Sequence, residues 1–259
     1  MKKMNYYRFL LLFSLVTFFY SCKKESANIS SSPVTETSTD VIFIYNEKEV
    51  TYKKITKTYS LDHNGEEMDR PITLTWLDRN LGAERKAIVK NDSLARGDLF
   101  QWGRLADGHQ SVTSDTIGQI STKTEPGHNK FISNQLLTGG GDWLVSGVDD
   151  LWKNSTSPNC PCPQGWRLPT SKEFLMELYS WSSVDMDSAF DSGLKWCTTG
   201  NRDNSGTYRY YNDWAFVWSS TPSPKEWEDD KSEKLWIVHD TAKVISSYRI
   251  YAGSVRCVK

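Results

Sequence analysis

Cys160 to Phe174, C-P-C-P-Q-G-W-R-L-P-T-S-K-E-F, constrains the fold more than any other stretch of the chain. It sets two cysteines, a tryptophan and a helix start in direct succession. Thr170 and Glu173 stand in T-x-x-E spacing, so the Thr170 hydroxyl can accept from the Glu173 amide while the Glu173 carboxylate reaches back to the Thr170 amide. Pro169 keeps the helix from running backward and biases Leu168 toward extended backbone. Phe174, Leu178 and Trp181 then fall on one face at helical spacing. The block predicts a capped helix with one apolar side, placed beside a covalent staple.

The other elements read as short strands. Val41 to Asn46 and Glu49 to Tyr59 are rich in Val, Ile, Thr and Tyr and flank a polar corner. Ile72, Leu74 and Trp76 alternate with Thr73 and Thr75, the period of a half-buried strand. Trp214, Phe216 and Trp218 alternate again, followed by Leu235 to His239, Lys243 to Tyr251 and Ser254 to Val258. Turn-forming clusters separate them: Gly139 to Asp142, Gly200 to Gly206 and Pro222 to Lys231. No internal repeat recurs at a fixed period.

The N-terminus speaks to location. Lys2, Lys3 and Arg8 precede an almost continuously apolar run, Phe9 to Tyr20. About 12 apolar residues suit a signal peptide, whereas a membrane-spanning helix needs about 20. The run ends at Tyr20-Ser21-Cys22, which resembles the bacterial lipoprotein signal in its Bacteroidota form. The resemblance implies removal of residues 1–21, acylation of Cys22 and a lipid anchor in the outer membrane. Residues 22–40 are rich in Ser and Thr without apolar period, so they are expected to be a flexible tether. Lys23-Lys24-Glu25 resembles the tag that sends such lipoproteins to the outer face, which favours surface exposure over the periplasm.

Residues 41–259 then make one domain, long enough for a substantial core. The net charge of the chain is −1 and its basic residues are scattered, which argues against nucleic acid as a partner. Apart from Cys22 there are four cysteines, Cys160, Cys162, Cys197 and Cys257. An even number in an exported chain reads as two disulfides with three pairings open. A four-cysteine zinc site fails on spacing, since only one close pair exists and it is C-P-C.

Five blocks in order, W-L-D-R-N-L-G-A (Trp76 to Ala83), G-D-L-F-Q-W-G-R (Gly97 to Arg104), C-P-Q-G-W-R-L-P-T (Cys162 to Thr170), V-W-S-S-T (Val217 to Thr221) and S-V-R-C-V-K (Ser254 to Lys259), span nearly the whole domain. They resemble the Fibrobacter succinogenes major paralogous domain family. The resemblance implies an α+β domain with the C-type-lectin-like fold of formylglycine-generating enzymes, few helices and long loops. It also implies that Cys162 bonds Cys257 in the last strand, which leaves Cys160 to pair with Cys197. The first bridge would close a loop of about 95 residues, worth roughly 4–5 kcal/mol in the chain-entropy model. The second departs from the family pattern, which has one cysteine at this point, and Cys160 can instead take the partner assigned to Cys162.

Three functions compete. The first is a non-catalytic surface module that binds a glycan or a protein, or serves as a structural part. Eleven tryptophans are many for 259 residues, and aromatic faces stack on sugars or fill interface pockets. Trp76, Trp102, Trp152, Trp166 and Trp218 are expected in the core. Trp143 and Trp227, beside turn clusters, are the candidates for ligand contact, with packing as their alternative. The second is an enzyme related to formylglycine generation, which needs a reactive thiol pair or bound copper. The cysteines read as structural, and no counterpart of that enzyme's cysteine-bearing segment is present. His63, His109, His128 and His239 form no metal motif, His109 reads as a solvated loop residue, and Asp149-Asp150 and Asp229-Asp230 read as solvated turns.

The third function is a calcium-dependent lectin. Ala189 and Phe190 stand where an EF-hand loop needs an oxygen ligand and glycine, the E-P-N and Q-P-D sugar tripeptides are absent, and Asp203-Asn204 reads as a hairpin turn. No catalytic residue, metal or cofactor is therefore assigned, and the expected partners are the membrane, through the lipid, and a glycan or protein. Asp92-Ser93-Leu94, Asp115-Thr116-Ile117, Asp187-Ser188-Ala189 and Asp240-Thr241-Ala242 resemble the O-glycosylation sequon of exported Bacteroidota proteins.

Overall fold

A computed structural model describes residues 34–135, 141–224 and 230–259. The expected signal segment, residues 1–21, together with Cys22 and Trp227, lies outside the described residues. The fold is α+β, with twelve strands, two helices and one 3-10 turn at Ser93–Ala95 among the described residues. The first sheet is an antiparallel meander of β1 (Val34–Tyr45), β2 (Lys48–Leu61) and β3 (Glu67–Leu77). Tyr45 pairs with Lys48, so the polar corner is two residues long. Both Asn46 and Glu47 have positive φ (48° and 62°). That backbone matches the strand twist in a two-residue hairpin.

β1 begins earlier than the composition suggests. Residues 34–37, expected in the tether, pair with β2, Val34 opposite Lys57 and Thr37 opposite Lys54, and the register shifts before pairing resumes at Val41. A ladder satisfies backbone groups whatever the side chains, and Val34, Thr35, Thr37 and Thr39 are good strand formers. The tether expectation is corrected over that stretch.

The remaining strands are short except in one sheet. They are β4 (Phe100–Gln101), β5 (Thr116–Ile117), β6 (Phe131–Ile132), β7 (Asn201–Arg202), β8 (Tyr208–Arg209), β9 (Ala215–Pro222), β10 (Lys231–Ile237), β11 (Ala242–Tyr248) and β12 (Ala252–Gly253). β9, β10 and β11 form an antiparallel sheet in the order β11-β10-β9. A small sheet runs β4-β12-β7-β8, and β5 pairs with β6 in parallel.

The helices are α1 (Ser171–Tyr179) and α2 (Met186–Asp191). Thr170 caps α1 with both arms of the capping box formed, and Phe174, Leu178 and Trp181 are buried as the spacing predicts. They pack between the first sheet and the β9–β11 sheet, against Ile55, Trp76, Trp196, Leu235 and Ile237. Fully buried Glu177 sits at the centre of this core. Its Oε2 accepts from Lys57 Nζ (2.8 Å) and Tyr59 OH (2.7 Å), and its Oε1 from the indole N–H of Trp181 (2.8 Å) and Trp196 (3.0 Å). Burial opposes the charge, but Lys57 and these donors hold the carboxyl below its ordinary range.

The C-terminal segment is a strap where the sequence suggested a strand over Ser254 to Val258. Past β12 it leaves regular pairing and alternates partners. Ser254 exchanges bonds with Phe216 and Trp218, Val255 O accepts from Leu81 N, Cys257 O accepts from Leu77 N, and Val258 exchanges both bonds with Arg167. Residues 252–258 are all buried. The strap thus joins β3, β9 and the run into α1, and the Cys162–Cys257 disulfide, Cα atoms 5.9 Å apart, fixes its end.

The second bridge does not form. Cys160 and Cys197 are both free. Cys160 packs beside the Cys162–Cys257 staple with Trp166 and Leu168, whereas Cys197 is enclosed by Ala87 and Ala95 in a separate cluster. Their sulfurs contact different backbone carbonyls, Trp166 O and Ala95 O.

Trp76, Trp102, Trp152, Trp166 and Trp218 are core residues, as expected. β9 departs from simple alternation, because residues 215–220 are buried on both faces.

Candidate functional site

The surface carries a groove of about 720 Å³. It is built where five separate pieces of chain meet. Val89, Lys90 and Asn91 supply one piece, and Met186 and Asp187, at the start of α2, another. Asn212, Asp213 and Trp214 come from the turn before β9. Val238, His239, Asp240 and Thr241 form the β10–β11 turn, with Trp236 on β10 and Thr198 on the chain leading to β7.

Each piece is held by local bonds. Thr198 N donates to Lys90 O (2.8 Å), which ties the 89–91 segment to the floor. Lys90 and Asp187 form a surface ion pair. Asp185 caps α2 by accepting from Ser188 N (2.7 Å), and Met186 N reaches His239 O (3.4 Å). Val238 N bonds Thr241 O (2.9 Å) and closes the hairpin tip.

The 210–214 turn packs close because of Gly200. A Cβ there would lie 2.5 Å from Arg209 O and 2.8 Å from Tyr211 Cα, and the residue has φ +64°. Both conditions favour glycine.

The register explains why two tryptophans reach this groove. On β10, Leu235 and Ile237 face the core while Trp236 and Lys234 face the other side, opposite Phe216 and Trp218 of β9. Trp214, just before β9, continues that aromatic row. At its inner end the row encloses Lys234, whose amine lies 4.3 Å from the Phe216 ring centre and 5.1 Å from that of Trp218. Burial pushes this lysine down to about 7. At its outer end the row opens, and Trp214 and Trp236 are half-buried, their rings 5.7 Å apart at 83°. Tyr210 stacks on Trp214 at 4.0 Å, and Lys243 lies 5.1 Å from the Trp236 ring centre. Neither backing residue lines the groove, so the remaining aromatic surface is what the groove meets.

Hydrogen bonding separates these two indoles from seven of the buried ones, although buried Trp166 likewise makes no indole N–H bond among the described residues. The ring N–H of Trp76, Trp102, Trp143, Trp152, Trp181, Trp196 and Trp218 each donates to a protein oxygen. No such bond is made by Trp214 or Trp236 among the described residues. Asp187, Asp213, Asp240, Asn91, Asn212 and His239 are exposed around them.

Several sequence expectations are corrected here. Trp143 is fully buried and donates to Trp102 O (2.6 Å), so it packs in the core and is not presented at the surface. Gly141 beside it permits close packing, since a Cβ there would stand 1.9 Å from Tyr248. His109 is also fully buried. It accepts from Gln101 N at Nε2 (3.0 Å), pairs with Asp107 at Nδ1 (2.7 Å), and burial drives it down to about 4. It is a neutral structural histidine. Asp149 bonds the buried Arg249 guanidinium (2.5 Å), and Asp230 accepts from Gly141 N (2.5 Å), so neither is a purely solvated turn residue.

The Asp203-Asn204 turn matches its expectation. Asp203 Oδ1 accepts from Ser205 N (2.9 Å) and Thr207 N (3.0 Å), while Asn204 bonds Asn134 O and Gln135 O. Among the described residues no group of three or more His, Cys, Asp or Glu is placed to hold a metal ion, and no helix is long and apolar enough to cross a membrane.

Sequence reasoning missed the groove because Trp214 and Trp236 read as ordinary strand positions. The available signal was their place at strand ends beside polar turns. No family model matches the chain, no curated protein matches it, and no solved structure does.

Proposed function

We propose that this chain is a lipid-anchored, surface-exposed envelope protein of the major paralogous domain type. In this reading it has a lectin-like fold and a non-catalytic binding role, and its ligand site is the groove at Trp214 and Trp236. The observation that carries the binding role is the pair of half-exposed indoles with uncommitted N–H groups, in a domain whose other indoles are mostly sealed by internal bonds. The thiol-enzyme alternative is disfavoured by the thiols themselves. Burial raises Cys160 above its ordinary value and Cys197 to about 11, the reverse of what a nucleophile needs. The calcium-lectin alternative is disfavoured at Asp203 and Asn204, whose side chains are occupied within their own turn and its neighbour.

The test is binding to an array carrying both glycans and envelope proteins, with the Trp214→Ala/Trp236→Ala variant alongside. Wild-type binding that the variant loses supports the groove. No binding, or equal binding by both, contradicts it. Anchoring is tested separately: Cys22→Ser should move the protein from the membrane to the soluble fraction, and continued membrane attachment argues against acylation.

A further inference from the structure

Two separate features of the groove favour the same sign of charge. The first is the aromatic corner. Trp214 and Trp236 line the recess half-buried, with ring centres 5.7 Å apart and planes at 83°. An indole face is electron-rich and attracts a cation held within about 6 Å of its centre. The second is a pair of carboxylates. Asp213, beside Trp214, and Asp240, in the turn after β10, line the same recess and are exposed. Neither side chain has an ion-pair or hydrogen-bond partner among the described residues. Lys90 in the lining is already paired with Asp187. Lys243, outside the lining, rests against Trp236 and offsets at most one of the two remaining negative charges. An anion would be repelled here, and a neutral ligand would cover the rings while leaving both carboxylates uncompensated. Positive charge is what the rings and the carboxylates attract in common.

Resting on the reading of this groove as the ligand site, we propose that it takes a basic side chain of a partner protein, arginine foremost. A flat guanidinium can lie on one indole and still donate to a carboxylate, which a compact ammonium does less well. The methylene stem runs along the apolar lining, Val89, Met186 and Val238. The surroundings suit a protein better than a free small cation. Val89 is 51 % exposed and its neighbour Ile88 64 %, and Asp187, Asn212, Asp213 and Asp240 are exposed as well, so the recess is an open trough with an apolar rim. A small cation in it keeps most of its water. A partner that covers the rim excludes that water and strengthens each charge contact.

The experiment titrates the full chain by calorimetry with a capped Gly-Arg-Gly-Arg-Gly peptide. The same peptide with citrulline for arginine is the neutral arm of nearly equal shape, and choline is the free-cation arm. The arginine peptide should bind, with the citrulline peptide and choline each at least tenfold weaker. Asp213→Asn/Asp240→Asn should weaken the arginine peptide about tenfold with an unchanged melting temperature, because neither carboxylate makes an internal bond. Absence of binding by the arginine peptide, equal binding by the citrulline peptide or by choline, or wild-type affinity in the double variant would each overturn the proposal. If the peptide fails but a glycan is captured and then lost with Trp214→Ala/Trp236→Ala, the cationic assignment fails and the groove reading stands. If no ligand responds to loss of the indoles, both fail.

Discussion

Two buried ionisable residues make stability rise with pH in two different windows. Lys234 is fully buried against aromatic rings, with its folded pKa at about 7. The unfolded chain keeps that proton to about pH 10, so over the interval between the unfolded state binds more protons and stability rises with pH. The full interval is worth on the order of 4 kcal/mol at about 1.4 kcal/mol per pH unit. Lys234→Met should be more stable than the parent at pH 7 and lack this rise, as read by urea unfolding from pH 7 to 9.5. A parent curve that is flat or falling contradicts the assignment.

His109 works at the acid end. Its folded value of about 4 lies below the unfolded value of about 6.5, so its stabilisation is complete above 6.5 and is lost as pH falls toward 4. His109→Gln should flatten that decline. Neither residue's burial was legible locally. His109 sits in a loop-forming D-G-H context, and only the 0 % exposure produced by the packing of Phe100 and Gln101 turns it into a core group.

At the scale of elements, α1 and the strap carry the domain. The helix cap was readable from T-x-x-E because both partners lie within one turn. The Glu177 hub was not, since its donors come from β2, from Trp181 and from Trp196, and only the fold brings them together. The two sites should differ in cost. Thr170→Ala removes a cap and should cost about 1 kcal/mol. Glu177→Ala strands a buried lysine and three other donors and should cost about 3–5 kcal/mol. Equal costs in denaturant titration would show that Glu177 is not the hub.

The strap makes a comparable contrast. Cys162–Cys257 was expected from family resemblance and is present, whereas Cys160–Cys197 failed because the two residues serve separate apolar clusters. Thiol titration of the denatured, unreduced chain lacking Cys22 should find two thiols. Finding none would restore the second bridge.

At the scale of the molecule, the α+β class and most long strands followed from alternation and turn residues. The long β1–β2 hairpin and the β9–β11 sheet lie close to where the Val, Ile, Thr and aromatic runs put them. The site did not follow, because composition counts tryptophans without saying which indole N–H groups the fold consumes. Trp143 beside a glycine cluster looked open and is sealed, while Trp214 and Trp236 looked like strand interior and are half-exposed. A groove assembled from five separate pieces of chain has no local signature.

That difference also supplies the most direct test. The eleven indole N–H resonances of the chain can be followed by NMR while the capped arginine peptide is added. The signals of Trp214 and Trp236 should move, with those of Trp76, Trp102, Trp143, Trp152 and Trp218 unchanged. Shifts that leave Trp214 and Trp236 in place, or no shifts at saturating peptide, would contradict the account.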